Sequence, residues 1–313
     1  MPKVSVVMPV YNAEKYIAYA VESILHQKFK DFELIIIDDK GTDNSISIIE
    51  KIKDPRIRII ENDRNRGIAY ARNRGLEAAC GEYIALMDDD DWTPPYRLEL
   101  ENEFLDANLD IAAVGGAMHT IDEQNRLVKY NNVQMIHQPG RLKAELIFHD
   151  IIANGSTMFR KNIVEANSIK YQENMHGMED YRFWIDYSIY GKIVNMDDVL
   201  LHWRDSRNNE SAKNKSELKT ERQETYGKIQ EYALVKYGFQ LTRDEIKCFQ
   251  KGFVEGGKAF LDRNELEQLY FVMKKIMEQG NKKEFADELN FVCRNMYGIR
   301  TVYSEIWTEL NAK

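Results

Sequence analysis

Apolar positions in the first part of the chain switch repeatedly between strand-like runs and helical spacing. Residues 4–8 form a short apolar run that reads as a strand. Ile17, Ala20, Val21, Ile24 and Leu25 then recur at helical intervals, with Asn12 as a candidate N-cap. Residues 33–38 predict a second strand, apolar through Leu34, Ile35, Ile36 and Ile37 as expected of a sheet covered on both faces. Thr42 or Asp43 is placed to cap a helix reaching about Lys53, and 56–60 alternates like a strand. A helix over 68–79 stopped by Gly81, a strand over 83–87, a helix over 98–108 and a strand over 111–117 complete the series. Such repetition predicts an α/β fold with a Rossmann-like, mostly parallel sheet flanked by helices.

From about 119 to 141 the pattern turns polar and irregular, with turn signals at Asn131-Asn132 and Pro139-Gly140. A helix is expected over 141–149, a strand over 156–159, an amphipathic helix over 180–190 and a late strand over 199–203. Residues 204–219, rich in Asn, Ser, Lys and Glu, read as a linker. Beyond it strand signals vanish, and helical stretches broken at Gly238, Gly256-Gly257 and Gly280 predict a C-terminal helical appendage from about 217.

Composition narrows the classes. A chain of 313 residues can bury a large core, and a formal charge of −8 disfavours nucleic acid as a partner. Three scattered cysteines, Cys80, Cys248 and Cys293, form no CxxC pair and suit a reducing compartment. No stretch approaches the ~20 apolar residues of a membrane span. The expectation is a soluble, cytoplasmic protein.

One cluster stands out chemically. Asp88-Asp89-Asp90-Asp91 directly follows the apolar run 83–87, and Trp92 and Pro94-Pro95 follow it. The carboxylates therefore fall past the C-terminal end of a strand, where open α/β sheets bind ligands. Carboxylates this close repel by roughly 4 kcal/mol per pair at about 4 Å and an effective dielectric of about 20. Hard oxygen donors of this kind suit Mg²⁺, Mn²⁺ or Ca²⁺, and Mg²⁺ typically shares one or two carboxylates with substrate phosphates. A solvated acidic turn is the plain alternative.

At the same edge of the other strands stand Pro9-Val10-Tyr11-Asn12, Asp38-Asp39 with Gly41-Thr42-Asp43, and Asn65-Arg66-Gly67 with Ala71-Arg72-Asn73. With the acidic run, this ordered set resembles the family 2 glycosyltransferases, closely over about the first 115 residues and more loosely to about Arg204. The resemblance implies a GT-A fold and an inverting, metal-dependent transfer of a sugar from a UDP-sugar to a glycan or lipid-linked saccharide. It divides the chain into a nucleotide-sugar-binding half (1–115), an acceptor-binding half (116–212) and a helical region (213–313). Pro9, Tyr11 and Asn12 would line the nucleotide, and Tyr11 offers a face for uracil. Asp39 would accept from the base N–H, although Asp38 and Asp39 also suit helix capping. Arg72 would reach the base or diphosphate, against a plain salt bridge, while Asn73 also suits holding backbone groups.

The DxD pattern maps onto Asp88-Asp89-Asp90. The resemblance makes Asp90 the direct ligand of Mn²⁺ or Mg²⁺ and sets Asp88 or Asp89 at the ribose or a metal-bound water. Asp91 takes a supporting role. Glu179-Asp180, before an amphipathic helix, resembles the ED motif: Asp180 as base, Glu179 holding the site or touching the acceptor. Helix N-capping is the competing use of Asp180. His202-Trp203-Arg204 resembles a segment near the diphosphate, with His202 a metal ligand or a core histidine and Arg204 a donor contact. Ser156, Thr157 and Arg160 resemble the acceptor side.

Trp203, Asp205 and Lys40 depart from the pattern. Gln-x-x-Arg-Trp, the mark of processive synthases, is absent, which favours single addition in surface polysaccharide synthesis. A non-catalytic nucleotide-sugar-binding or scaffold protein on the same fold is the alternative. An oxidoreductase is disfavoured, because no GxGxxG follows the first strand. The helical appendage has three candidate uses: a homodimer contact, peripheral membrane contact with a lipid-linked acceptor, or bracing the domain.

Overall fold

The computed structural model describes residues 1–131, 138–205, 219–254 and 261–300, with side chains in the last helix to Met296. The turn signal at Asn132, most of the linker 204–219 and the Gly256-Gly257 break lie outside the described residues. The chain divides into two compact units, 1–137 with 152–213, and 138–151 with 214–313.

The first unit is built on an eight-stranded sheet ordered β3-β2-β1-β4-β7-β5-β6, with β8 also pairing β5. Its opening half follows the apolar pattern: β1 Val4–Val10, α1 Ile17–Leu25, β2 Phe32–Asp38, α2 Ser45–Ile49, β3 Ile57–Glu61, α3 Ile68–Ala78, β4 Tyr83–Leu86 and α4 Arg97–Ala107. The strands β1, β2, β3 and β4 pair in parallel. Val4, Val6, Met8 and Val10 on one face of β1 pack with Ile17, Val21 and Ile24 of α1. On α3, a Cβ at Gly75 would stand 2.2 Å from Val7 Cγ1, so only glycine lets this helix lie so close to β1.

Two local expectations are corrected. Asn12 caps nothing: it adopts a left-handed φ of 53°, α1 starts after Tyr16, and Asn12 Oδ1 accepts from Thr42 N at 2.7 Å. The short α2 ends at Ile49 rather than near Lys53, and Asp43 serves its start by accepting from Ser45 N at 3.0 Å.

The second half of the sheet is mixed rather than mostly parallel. It comprises β5 Ile111–Ile121, β6 Leu127–Asn131, β7 Met158–Arg160 and β8 Lys192–Arg204, with α6 Lys161–Asn167 and α7 Glu179–Tyr190. The strand β7 runs antiparallel to both β4 and β5, whereas β8 runs parallel to β5. The region read as irregular from 119 is largely a β5–β6 hairpin closed by Asn125 in a left-handed conformation.

The second unit contains α5 Pro139–Glu145, α8 Lys219–Lys236, α9 Arg243–Gly252, α10 Arg263–Gly280 and α11 Ala286–Arg300. Pro139 opens α5 at its first turn rather than making a loop. The segment Gln138–Ile151, placed by sequence inside 116–212, packs with these helices. The Phe148 carbonyl accepts from Tyr226 Oη at 2.6 Å and Gln230 Nε2 at 3.0 Å, and its ring meets Phe253 at 5.0 Å. Thr242 and Asp262 form reciprocal capping boxes with Glu245 and Glu265. No described helix is long and apolar enough to cross a membrane.

Candidate active site

The C-terminal ends of β1, β2 and β4 deliver Tyr11, Asp39 and the acidic run to one edge of the sheet, where strand order reverses about β1. Tyr11 is 46% exposed, while its N–H donates to Asp89 Oδ2 at 3.0 Å, tying β1 to the acidic run. Pro9, within β1, is buried.

Asp39 is buried and holds the next loop. Its Oδ1 accepts from Asn62 Nδ2 at 2.6 Å and Arg66 N at 2.9 Å, and its Oδ2 accepts from Gly67 N at 2.8 Å. Asp38 instead accepts from Lys40 N at 2.8 Å. Neither caps α2. Asn62, at the end of β3, was not singled out from sequence, although strand-end position is the signal that would have found it.

Within the acidic run Asp88, Asp89 and Asp91 take different partners. Asp88 Oδ1 accepts from Arg72 Nη2 at 2.9 Å. Asp91 is 1% exposed; its Oδ1 accepts from Arg204 N at 2.8 Å, and its Oδ2 has no hydrogen-bond partner among the described residues. A Cβ on Gly155 would stand 3.5 Å from Asp88 Oδ2 and 3.7 Å from Asp91 Oδ2, so these two oxygens face the same glycine. Burial pushes the Asp90 carboxyl up to about 6, helped by the charge of Asp88 and opposed by Arg204. Burial, with the charge of Asp90, raises Asp89 and Asp91 well above the carboxylate range. A buried carboxylate oxygen without a donor and mutually repelling acids are what a hard cation would relieve. Among the described residues no three His, Cys, Asp or Glu side chains converge on a metal position. The donors therefore fit a divalent ion that takes one or two carboxylates and completes its shell with phosphate oxygens.

Arg204 is buried and holds the backbone of the run. Its Nε donates to the Asp90 carbonyl at 2.7 Å, its Nη1 to the Asp122 carbonyl at 2.9 Å, and its guanidinium stacks 4.2 Å from the Tyr16 ring centroid. His202 pairs backbone-to-backbone with Trp92, and its ring lies 4.4 Å from Trp92 and 5.4 Å from His119. Burial, with His119, pushes the imidazole down to about 4, so it is neutral near pH 7.

Glu179 and Asp180 open α7 as the acidic first turn of that helix. Glu179 is buried and accepts from Arg72 Nη1 at 2.8 Å. Asp180 accepts from Tyr181 N at 2.8 Å, and burial, with the Glu179 charge, pushes its carboxyl up to about 7 against the pull of Arg72. Arg72 thus joins the acidic run to the acidic pair. Asn73 holds the Tyr171 backbone, donating to its O and accepting from its N, both at 2.8 Å.

The residues expected on the acceptor side are largely structural here. Arg160 donates to the carbonyls of Ile111 at 2.9 Å and Leu105 at 2.6 Å, at the end of β4 away from the acidic run. Ser156 and Thr157 bond to the carbonyls of Ala153 and Asn154. Asn154, unflagged in sequence, accepts from both Tyr171 Oη at 3.3 Å and Trp184 Nε1 at 3.2 Å.

Comparison with known proteins gives consistent results. The model of the family described as Glycosyl transferase family 2 matches residues 5–167. An uncharacterized glycosyltransferase of Haemophilus influenzae is 31% identical over 211 residues, 65% of this chain and 65% of its own length. One from Methanocaldococcus jannaschii is 35% identical over 188 residues, covering 59% of this chain and 64% of its length. The chain thus spans just under two thirds of these two relatives. A succinoglycan biosynthesis protein of Rhizobium meliloti is 30% identical over 191 residues, 58% of this chain and 54% of its length. Among solved structures, S. aureus TarS 1-349 in complex with UDP-GlcNAc aligns with a TM-score of 0.64 at 19% identity, over 95% of this chain and 89% of that one. A Pyrobaculum calidifontis mannosyltransferase in complex with GDP-Man and Mn²⁺ aligns at 0.56 and 16% identity, over 99% and 84%.

Proposed function

Because the chain belongs to glycosyl transferase family 2 and has the GT-A fold, we propose that it transfers a sugar, with inversion, from a UDP-sugar to a hydroxyl of a glycan or glycoconjugate. Surface polysaccharide synthesis is the process this reading favours, in keeping with the succinoglycan relative. The observation that carries it is the acidic run beyond β4 set opposite the Glu179-Asp180 pair through Arg72.

Placement supports each role in this reading. The exposed Tyr11 ring stacks on uracil, with Pro9 and Asn12 shaping the edge. Asp39 Oδ2 has lone-pair capacity beyond its bond to Gly67 N and takes the uracil N3–H. Asp88 or Asp89 faces the ribose. Asp90, with the neutral His202 ring, would hold a divalent ion, which supplies charge neutralisation on the departing diphosphate. Arg204 stiffens the loop carrying Asp90 through its bond to the Asp90 carbonyl. Asp180, poised near neutrality, takes the proton of the acceptor hydroxyl as that oxygen attacks the anomeric carbon.

The test is calorimetry of UDP with and without Mn²⁺, followed by turnover. Asp90→Ala is expected to remove the Mn²⁺-dependent part of UDP affinity. Asp180→Asn is expected to bind UDP as the wild type does yet turn over at least ~100-fold more slowly. Full turnover in Asp180→Asn would reassign the base, and UDP binding without turnover in the wild type would favour a non-catalytic binder.

A further inference from the structure

Arg72 has the chemistry of a phosphate-binding residue but not the placement. It is 4% exposed, with Nη1 on Glu179 at 2.8 Å, Nη2 on Asp88 at 2.9 Å, and its guanidinium 5.4 Å from the Tyr171 ring centroid. A fork already closed on two carboxylates has little freedom to turn toward a third anion, because its planar geometry fixes both bonds together.

The Glu179 end of this bridge lies in the first turn of α7. Three residues ahead of α7, Asn174, His176 and Gly177, adopt left-handed φ values of 60°, 51° and 72°. Met178 at the N-cap provides no capping side chain. Through Arg72, the Glu179 carboxylate ties the first turn of α7 to α3. Tyr171 adds to that tie: held by Asn73 from α3, it stacks on Phe183 of α7 at 4.2 Å and 6°.

We propose that Arg72 is a positioning residue, not a nucleotide contact: it spans Asp88 and Glu179 and so sets Asp180 against the donor bound at the acidic run. This rests on the reading of Asp180 as base. The charged and titratable groups acting on Asp180 are Glu179 on its own helix, Arg72 on α3, Asp88 beyond β4 and the Tyr171 hydroxyl. Arg72 is the cation among them, so its loss also makes Asp180 harder to ionise.

The experiment compares Arg72→Gln and Arg72→Lys with wild type, using UDP with Mn²⁺ for affinity and UDP release from the accepted UDP-sugar for turnover. Positioning predicts that Arg72→Gln keeps UDP affinity and donor KM within about threefold while kcat falls at least ~30-fold. It also predicts that the acid limb of the kcat profile moves to higher pH in Arg72→Gln. Arg72→Lys retains the charge but not the fork, so its acid limb stays in place while kcat remains low. A contact to the nucleotide predicts the reverse, with UDP affinity down more than ~10-fold and kcat preserved, and that result overturns the proposal. Glu179→Gln reads the same link if Arg72→Gln does not fold: lowered kcat at unchanged UDP affinity supports it, and unchanged kcat refutes it. An active Asp180→Asn would instead defeat the base assignment, whatever Arg72 does.

Discussion

Asp91 and Arg204 lock together from positions 113 apart in sequence, the Asp91 carboxylate accepting the Arg204 backbone N–H at 2.8 Å. The Arg204 side chain returns to the Asp90 carbonyl, so one arginine fixes two consecutive acids. Arg204→Ala keeps the backbone N–H on Asp91 but leaves the Asp90 and Asp122 carbonyls without their side-chain donor, and is expected to cost about 3 kcal/mol in urea unfolding. Asp91→Asn keeps an acceptor for that N–H without burying a charge and is expected to cost under about 1 kcal/mol.

Stability in the absence of metal should fall as pH rises across the site's carboxyls. Asp90 and Asp180 are pushed from an ordinary 3.8 to about 6 and about 7. The folded state therefore holds their protons more tightly than the unfolded chain does. The stability this contributes is complete below about pH 4 and lost as pH rises through about 7. Urea midpoints across this range are expected to decline in the wild type and to decline less in Asp180→Asn. Turnover runs the opposite way, rising through about pH 7 as Asp180 ionises.

His202→Phe keeps a ring between Trp92 and His119 but removes the nitrogen donor. The fold should survive with a melting temperature near that of the wild type, while the Mn²⁺-dependent gain in UDP affinity drops about 10-fold or more. Undiminished Mn²⁺ dependence would make His202 a packing residue.

Gly75→Ala tests the closeness of α3 to β1. The added methyl would stand 2.2 Å from Val7 Cγ1, which forces the helix carrying Arg72 off the strand. A loss of about 2–3 kcal/mol is expected in urea unfolding. Turnover should fall in the variant that does fold, because Arg72 moves with the helix.

How much of this was legible in sequence depended on the range of the interactions involved. The strands β1 to β4 are apolar runs with both faces covered, so local pattern found them. The β5–β6 hairpin carries His119, Thr120, Lys129 and Tyr130, and its polar positions hid its period. The front of β8 was missed because Asp197 and Asp198 interrupt it. In the site, residue types at strand ends pointed to Asp39 and the acidic run, and an acidic pair at a helix start pointed to Glu179-Asp180. What those side chains touch did not follow: Arg72 meets Glu179 from 107 positions away, and no local signal encodes that. Asn12 looked like a cap because its side chain suits one, but the same residue also tolerates the left-handed turn found there.

The helical unit is discontinuous in the chain, and truncation would expose this. Removing everything after the polar stretch at 206–218 would strand Leu142, Leu146, Ile147 and Phe148, all buried, without the helices that cover them. Conversely, a fragment beginning at Lys219 would lack the Phe148 carbonyl to which Tyr226 and Gln230 donate. Neither cut yields a self-sufficient piece, so a clean dissection must carry Gln138–Ile151 along with the C-terminal helices as an engineered fusion.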